Sequence, residues 1–526
     1  MKNWKITGII ATAILVLAIP LYLLKGYFSG NHAIQKEAQF VGGKQCIECH
    51  EPQYKLWKDS NHDKAMDTMS EFTVRGDFNN AEFEHNGFVH RFYKKDGKYF
   101  VHTLGKDGEP ADLEITYTFG TKPLQQYLIP FEDGRLQCLP IAWDTIANRW
   151  YHLYDSVYKG QDIKPDDWLY WTNNGQNWNG MCAECHSTNL NKGFDPKTKV
   201  FNTTWSDIDV NCEACHGPGS EHLEWAKLPE MARPTDVNTG LIVQTSNISS
   251  RKYVDQCAYC HARRSGLGYY PNNGAALLDH IVPGLPTPPN YFVDGQILEE
   301  DYEHGSFTQS KMYMKGVKCN DCHNVHSLKL VKQGNDLCLQ CHVRENYDNY
   351  NHTFHKKIGE EGKDLVLQKG KKIVEVGEGS LCINCHMTGK YYMGVHYRHD
   401  HSFRIPRPDL TIELGTPNAC NQCHSDKTPQ WSLDYVTKWY GEKKRTHYGT
   451  VLAAARKGDI NSFPQLQSLV ESDLTPPIIR ASLLEMANSY PSELTSNVYN
   501  QALGDTIPLV RLIAMNNYST ADIANL

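Results

Sequence analysis

The sequence predicts a mainly α chain with extensive irregular structure, a small inserted antiparallel β-sheet and C-terminal α-helical repeats. Three observations lead there. The pentapeptide Cys-x-x-Cys-His recurs eight times in 526 residues, all between Cys46 and His424. Hydrophobic residues make up 40% of the chain, below the usual share for a globular protein. After His424 the cysteines stop and a helical periodicity begins.

The eight motifs are Cys46-Ile-Glu-Cys49-His50, Cys182-Ala-Glu-Cys185-His186, Cys212-Glu-Ala-Cys215-His216, Cys257-Ala-Tyr-Cys260-His261, Cys319-Asn-Asp-Cys322-His323, Cys338-Leu-Gln-Cys341-His342, Cys382-Ile-Asn-Cys385-His386 and Cys420-Asn-Gln-Cys423-His424. This is the attachment pattern of c-type haem. Two thiols three residues apart share one face of a helical turn, so both reach one porphyrin edge. The adjacent imidazole is then offered to the iron. Zinc ribbons use paired cysteines but do not place His after the second Cys eight times, and a disulfide framework has no need of it. The implied cofactor is eight covalently bound haem c groups, with iron held by His50, His186, His216, His261, His323, His342, His386 and His424.

One motif falls on roughly every 47 residues of the segment, too dense for an ordinary apolar core. Porphyrins take its place, and turns and short helices wrap them. Sixteen of the 17 cysteines lie in the motifs, and Cys138 has no assigned role. The net charge of −7 excludes nucleic acid as a partner. Arg263, Arg264, Arg344 and Arg404, close to the motifs, are expected to face haem propionates.

Along the chain, residues 1–30 read as a signal-anchor. Ile6–Leu24 is uncharged and just long enough to span a bilayer. No small-residue cleavage site follows it, and Lys2 and Lys5 favour a cytoplasmic N-terminus. This places the rest on the periplasmic side of the cytoplasmic membrane in a single-pass topology. Residues 31–80 carry the first motif. Residues 81–180 form a β-rich, aromatic-rich insertion. Its alternation over 81–119 surrounds Lys95-Asp-Gly-Lys98, a hairpin signal, and its tryptophans are expected against porphyrins. Residues 181–425 form the multihaem core with the other seven motifs, and residues 266–300, rich in Pro and Gly, read as a surface loop. Residues 426–526 are helical. Pro477-Ile-Ile-Arg480 and Pro508-Leu-Val-Arg511 align as a HEAT-like repeat, and two such repeats must pack on the haem core or on a protein partner.

Several stretches carry a family resemblance. They include Tyr117-Thr-Phe-Gly120, Pro123-Leu-Gln-Gln-Tyr-Leu128, Leu139-Pro-Ile-Ala-Trp-Asp144, Gln176-Asn-Trp-Asn179, Cys182-Ala-Glu-Cys-His-Ser-Thr-Asn-Leu190 and Cys212-Glu-Ala-Cys-His-Gly-Pro-Gly-Ser220. Gly316-Val-Lys-Cys-Asn-Asp-Cys-His-Asn-Val-His326 with Leu337-Cys-Leu-Gln-Cys-His342, about 316–345, looks like a doubled Cys-x-x-Cys-His module. Together they resemble multihaem c-type cytochromes with a cytochrome c-554-like domain, that doubled module and C-terminal HEAT-like repeats. The resemblance implies the c-554/hydroxylamine oxidoreductase type of core with closely stacked haem pairs. That fold serves both carriers and catalysts.

Sixteen of the 24 histidines lie outside the motifs, enough for a second imidazole on every iron. The candidates are His62, which resembles the family's distal His after the first motif, His222 in Cys215-His-Gly-Pro-Gly-Ser-Glu-His222, and His326, three residues after His323. His355, His401, His152, His304 and His396 complete the set, with His396 and His399 competing with His401. His32, His85, His90, His102, His280 and His447 are not expected to bind iron. The functional expectation is electron transfer along a haem chain in a respiratory pathway, with a quinol oxidoreductase or other cytochromes as redox partners. One alternative is an octahaem oxidoreductase acting on a small nitrogen or sulfur species at an open haem. The other is a docking subunit of a larger respiratory complex. No residue is assigned as catalytic.

Overall fold

The computed structural model describes residues 37–518, apart from 156, 162, 236–237, 269–273, 301, 368–371 and 443–445. The expected signal-anchor, residues 1–30, lies outside them. Among the described residues, no helix is long and apolar enough to cross a membrane.

The insertion folds as two antiparallel sheets. Asn79–His85, Phe88–Lys95, Lys98–Leu104 and Pro110–Ile115 pair in sequence order. Asp96 and Gly97 both have positive φ, 51° and 74°, the backbone of the tight hairpin that Asp-Gly favours. Asn86-Gly87, also at positive φ, makes the preceding turn in the same way. The second sheet runs Met66–Thr68, Tyr117–Phe119, Leu124–Pro130, Ile141–Asp144 and Arg149–His152, with Leu136–Cys138 also paired to Leu124–Pro130.

Aromatic residues fill the core of this module. Phe92 stacks on Trp150 at 3.6 Å, and Phe78 meets Tyr99, Tyr127 and Trp150 edge-on. Trp143 and Trp171 join the same cluster. These rings were expected on porphyrins; most hold the sheets together instead, because a two-sheet module needs a core of its own. Trp178 is the exception. Fully buried beside Cys138, Ala183 and the partly buried Cys182, it joins the sheet to the second motif.

The motif segment is built of short pieces. Ala183–His186, Cys212–His216, Ser250–His261, Cys382–His386 and Ala419–Cys423 are helical, and Cys319–Asp321 is a tighter turn. The stretch after residue 276, expected as a surface loop, is largely internal: Ile281, Tyr291 and Asp294 are buried. Leu285 and Val293 pack against the C-terminal helices, and Tyr448 Oη donates to the Asp294 carbonyl at 2.8 Å.

Among the described residues, six α-helices follow the last motif: Pro429–Tyr440, Tyr448–Arg456, Phe463–Glu471, Pro477–Ala487, Ser492–Leu503 and Pro508–Asn517. Pro at the first turn suits a helix start because its missing N–H has no partner there. Ile479, Leu483, Leu484, Ala487, Val510 and Ala514 have no exposed surface, so these helices possess a conventional core. Arg480 and Arg511 converge on one loop: Arg480 pairs with the Asp505 carboxylate, and Arg511 Nη1 donates to the Asp505 carbonyl. The paired side chains keep 11% and 8% of their surface. Breaking a buried pair leaves one charge uncompensated, at a cost of about 3 kcal/mol. Arg480→Ala should therefore lower the denaturant midpoint of the helical signal while leaving the haem absorption spectrum intact.

Candidate haem centres

Five of the eight motif histidines face a second imidazole at a common distance. Ring centroids lie 6.0 Å apart for His50 and His222, 6.4 Å for His261 and His62, and 6.5 Å for His323 and His401. They lie 6.1 Å apart for His386 and His352 and 6.3 Å for His424 and His355. A metal–imidazole bond of about 2 Å on each side, plus about 1.1 Å from nitrogen to ring centre, sets coaxial centroids about 6.3 Å apart. The spacing is that of two imidazoles on opposite sides of one iron. Direct stacking is much closer: His85 and His152 lie 4.0 Å apart at 5°.

Hydrogen bonds fix the tautomer of many of these rings. A backbone carbonyl can only accept, so a ring nitrogen beside one carries the proton. Nδ1 of His186 faces Ala65 O at 3.0 Å, that of His386 faces Arg404 O at 2.7 Å, and that of His222 faces Thr239 O at 2.7 Å. His355 and His401 are held likewise by Thr353 O and His399 O, and His399 by Met387 O. Each bond leaves the Nε2 lone pair free for a metal and sets the ring plane. His62 has its pKa pushed down to about 4, first by burial and then by the charges of His261 and His186, and is therefore a neutral donor at neutral pH.

The remaining three motif histidines differ. His216 has His326 in its field: burial, then the His326 charge, lowers its pKa. His186 meets the edge of Phe119 at 5.6 Å, and His342 meets Tyr347 at 5.5 Å. Among the described residues, no second imidazole faces either one at the iron-spanning distance. An open cleft of about 490 Å³ beside the sixth motif is lined by Lys332, Gln333, Asp336, Leu339 and Arg344.

Of the expected second ligands, the structure sets His62, His222, His355 and His401 opposite motif histidines and His326 near one. Three are placed elsewhere. His152 ends a strand and stacks on His85, with Asp155 Oδ1 2.6 Å from His85 Nε2. Two parallel ring planes in contact cannot both contain one ion, so this trio is a stacked pair capped by a carboxylate. His304 opens a buried turn packed on Ser250–His261, with Asp255 4.0 Å away. His396 receives Arg398 Nε at 3.3 Å. His352, not among the expected second ligands, faces His386 of the seventh motif while His355 faces His424 of the eighth; the spacing His352-Thr-Phe-His355 is the sequence signal for a turn that presents two imidazoles. Gly379 makes room there, since a Cβ on it would overlap the His355 ring.

Elements of different motifs lie side by side: Gly43–Cys46 against Cys212–His216, Ala183–His186 against Ser250–His261, Gly334–Leu337 against Cys382–His386, and Cys382–His386 against Ala419–Cys423. Cys185 Sγ lies 3.8 Å from the Cys260 carbonyl. Glu213, inside the third motif and buried, accepts from Val41, Gly42 and Gly219 backbone N–H groups, which clamps the first motif region to the third. Cys138 sits against Cys182. The four arginines expected at propionates hold protein partners: Arg263 the Glu300 carbonyl, Arg264 the Cys185 thiol and Glu184, Arg344 Asp336 and Asp348, and Arg404 Gln309 and Tyr448.

Comparison with known proteins agrees with the motif chemistry. Residues 312–346 match the family described as doubled CXXCH motif. Residues 45–95, 159–217 and 337–403 match the family of cytochrome c554 and c-prime. No curated protein matches the chain. Among solved structures, it is similar to the outer cell wall cytochrome OcwA, at 15% identity over 91% of this chain and 100% of that one, with a TM-score of 0.48. It is also similar to the octahaem sulfite reductase MccA of Wolinella succinogenes, at 14% identity over 94% and 84%, with a TM-score of 0.32.

The facing pairs yield a direct test. His352→Ala should convert one low-spin iron to a high-spin, carbon-monoxide-binding one with all thioether bonds kept. His152→Ala should leave the spectrum unchanged. Electronic absorption with carbon monoxide reads both.

Proposed function

We propose that this multihaem c-type cytochrome carries eight haem c groups, one on each Cys-x-x-Cys-His motif, and passes electrons through them as a continuous relay. The observation that carries the reading is the set of five motif histidines that each face a second imidazole at the iron-spanning distance. It is joined by the side-by-side packing of the first motif on the third, the second on the fourth, the sixth on the seventh and the seventh on the eighth. Motif elements in contact bring the macrocycles they carry close together. Iron with two imidazoles cycles between oxidation states without gaining or losing a ligand, which suits a carrier. The motif cysteines are the thioether residues and the motif histidines the proximal ligands. His62, His222, His326, His352, His355 and His401 are the distal ones.

The redox partners in this reading are a quinol oxidoreductase or other cytochromes. Residues 6–24, uncharged and long enough to span a bilayer, anchor the chain, with the haem segment outside the cytoplasmic membrane, where bacteria attach haem to this motif. The helices after residue 429, read as HEAT-like repeats, offer a docking surface for a partner.

A second reading is favoured by one observation: His186 is held in the ligand tautomer and faces no second imidazole among the described residues. The second motif would then present an open iron, and the chain would act on a small nitrogen or sulfur species there.

The carrier reading predicts an intact mass equal to the polypeptide plus eight haems, with the N-terminal peptide retained in the membrane fraction. Fewer haems from a host with competent maturation would contradict it. A high-spin ferric signal in the wild type, together with turnover of nitrite, hydroxylamine or sulfite, would establish the second reading in its place.

A further inference from the structure

The fourth motif differs from its neighbours in what lies behind its histidine. Where Nδ1–H of His186 and His386 donates to neutral backbone carbonyls, Nδ1–H of His261 donates to the carboxylate of Glu303 at 3.0 Å. A carboxylate only accepts, so the ring proton sits on Nδ1 and Nε2 is the iron-facing atom. A hydrogen bond to an anion is stronger than one to a carbonyl and pushes more electron density into the ring.

Glu303 is held there deliberately by its surroundings. Its φ is 61°, a left-handed conformation that a non-glycine residue keeps only when its neighbours enforce it. The next four residues, His304–Phe307, form a buried turn against helix Ser250–His261, which carries the fourth motif.

We propose that Glu303 is a positioning residue that lowers the reduction potential at the fourth motif, so that this centre holds an electron less tightly than it would with a neutral group behind His261. The proposal rests on the relay reading above. Extra electron density on His261, and a nearby negative charge, favour the ferric over the ferrous state. An electron that reaches the fourth centre is thereby passed on more readily, for example to the second motif packed beside it, whose His186 leans on a neutral carbonyl. No bond to Glu303 forms or breaks when an electron arrives.

The test uses the full-length holoprotein. His62→Ala removes the imidazole facing His261 and marks that centre as high-spin. Reductive titration with dithionite, which supplies one electron per iron, is followed optically at fixed pH in His62→Ala and in His62→Ala with Glu303→Gln. The marked transition should move to higher potential in the double variant, and Glu303→Asp should restore part of the shift. Identical titration curves, with a haem confirmed on the Cys257–His261 peptide by mass spectrometry, would overturn the proposal and leave the relay intact. A haemless Cys257–His261 peptide in the wild type would overturn the relay itself. Loss of that haem in both Glu303 variants but not in the wild type would make Glu303 a structural residue and likewise refute the tuning role.

Discussion

Two imidazoles separated by the width of one six-coordinate iron form the constraint on which the rest of the structure depends. Five pairs meet it within a few tenths of an ångström. Each ties a motif to a segment elsewhere in the chain: His50 to the helix Ser220–Lys227 through His222, His323 to the strand-and-turn region around His401. Such staples do what a hydrophobic core does elsewhere, and they account for a segment of short helices and turns with a modest apolar content. Where no staples operate, ordinary cores return, as in the aromatic sheet module and the C-terminal helices.

Much of this was legible in the sequence. The proximal set is explicit in eight pentapeptides. His62, His222, His355 and His401 sit within reach of a motif or a recognisable turn, and the structure brings each to an iron-spanning distance from a motif histidine. What stayed hidden depends on long-range geometry. His352 precedes His355 by one turn, and only the fold shows that the two rings part to serve different centres. His152 lies among aromatics that suggested a porphyrin neighbour, yet the sheet module claims them for its own core. Likewise, the prolines after residue 282 read as exposed because composition does not reveal that Leu285 and Val293 meet the C-terminal helices. Asn86-Gly87 was a local signal of the same kind as Asp96-Gly97 and was overlooked.

The functional picture follows from adjacency and from what stands behind each ring. In the proposed relay, packing sets the first motif beside the third, the second beside the fourth, and the sixth, seventh and eighth in a row. Carbonyl acceptors hold five of the proposed ligand histidines in their tautomer, and one carboxylate, Glu303, stands behind the fourth motif. The second motif is the place where the carrier and catalyst readings part company: a prepared His186 whose ring meets the edge of Phe119, with no imidazole at the iron-spanning distance among the described residues. The fold tolerates both roles, so the ligation state of that centre decides between them.

The most direct test of the central claim is anomalous diffraction at the iron absorption edge from crystals of the purified protein. The relay account predicts eight iron positions, five of them midway between the named imidazole pairs. Porphyrins of the first and third, second and fourth, sixth and seventh, and seventh and eighth motifs should approach to about 4 Å, van der Waals contact. Fewer than eight irons, irons away from those pairs, or porphyrins apart where their motifs pack together would contradict it.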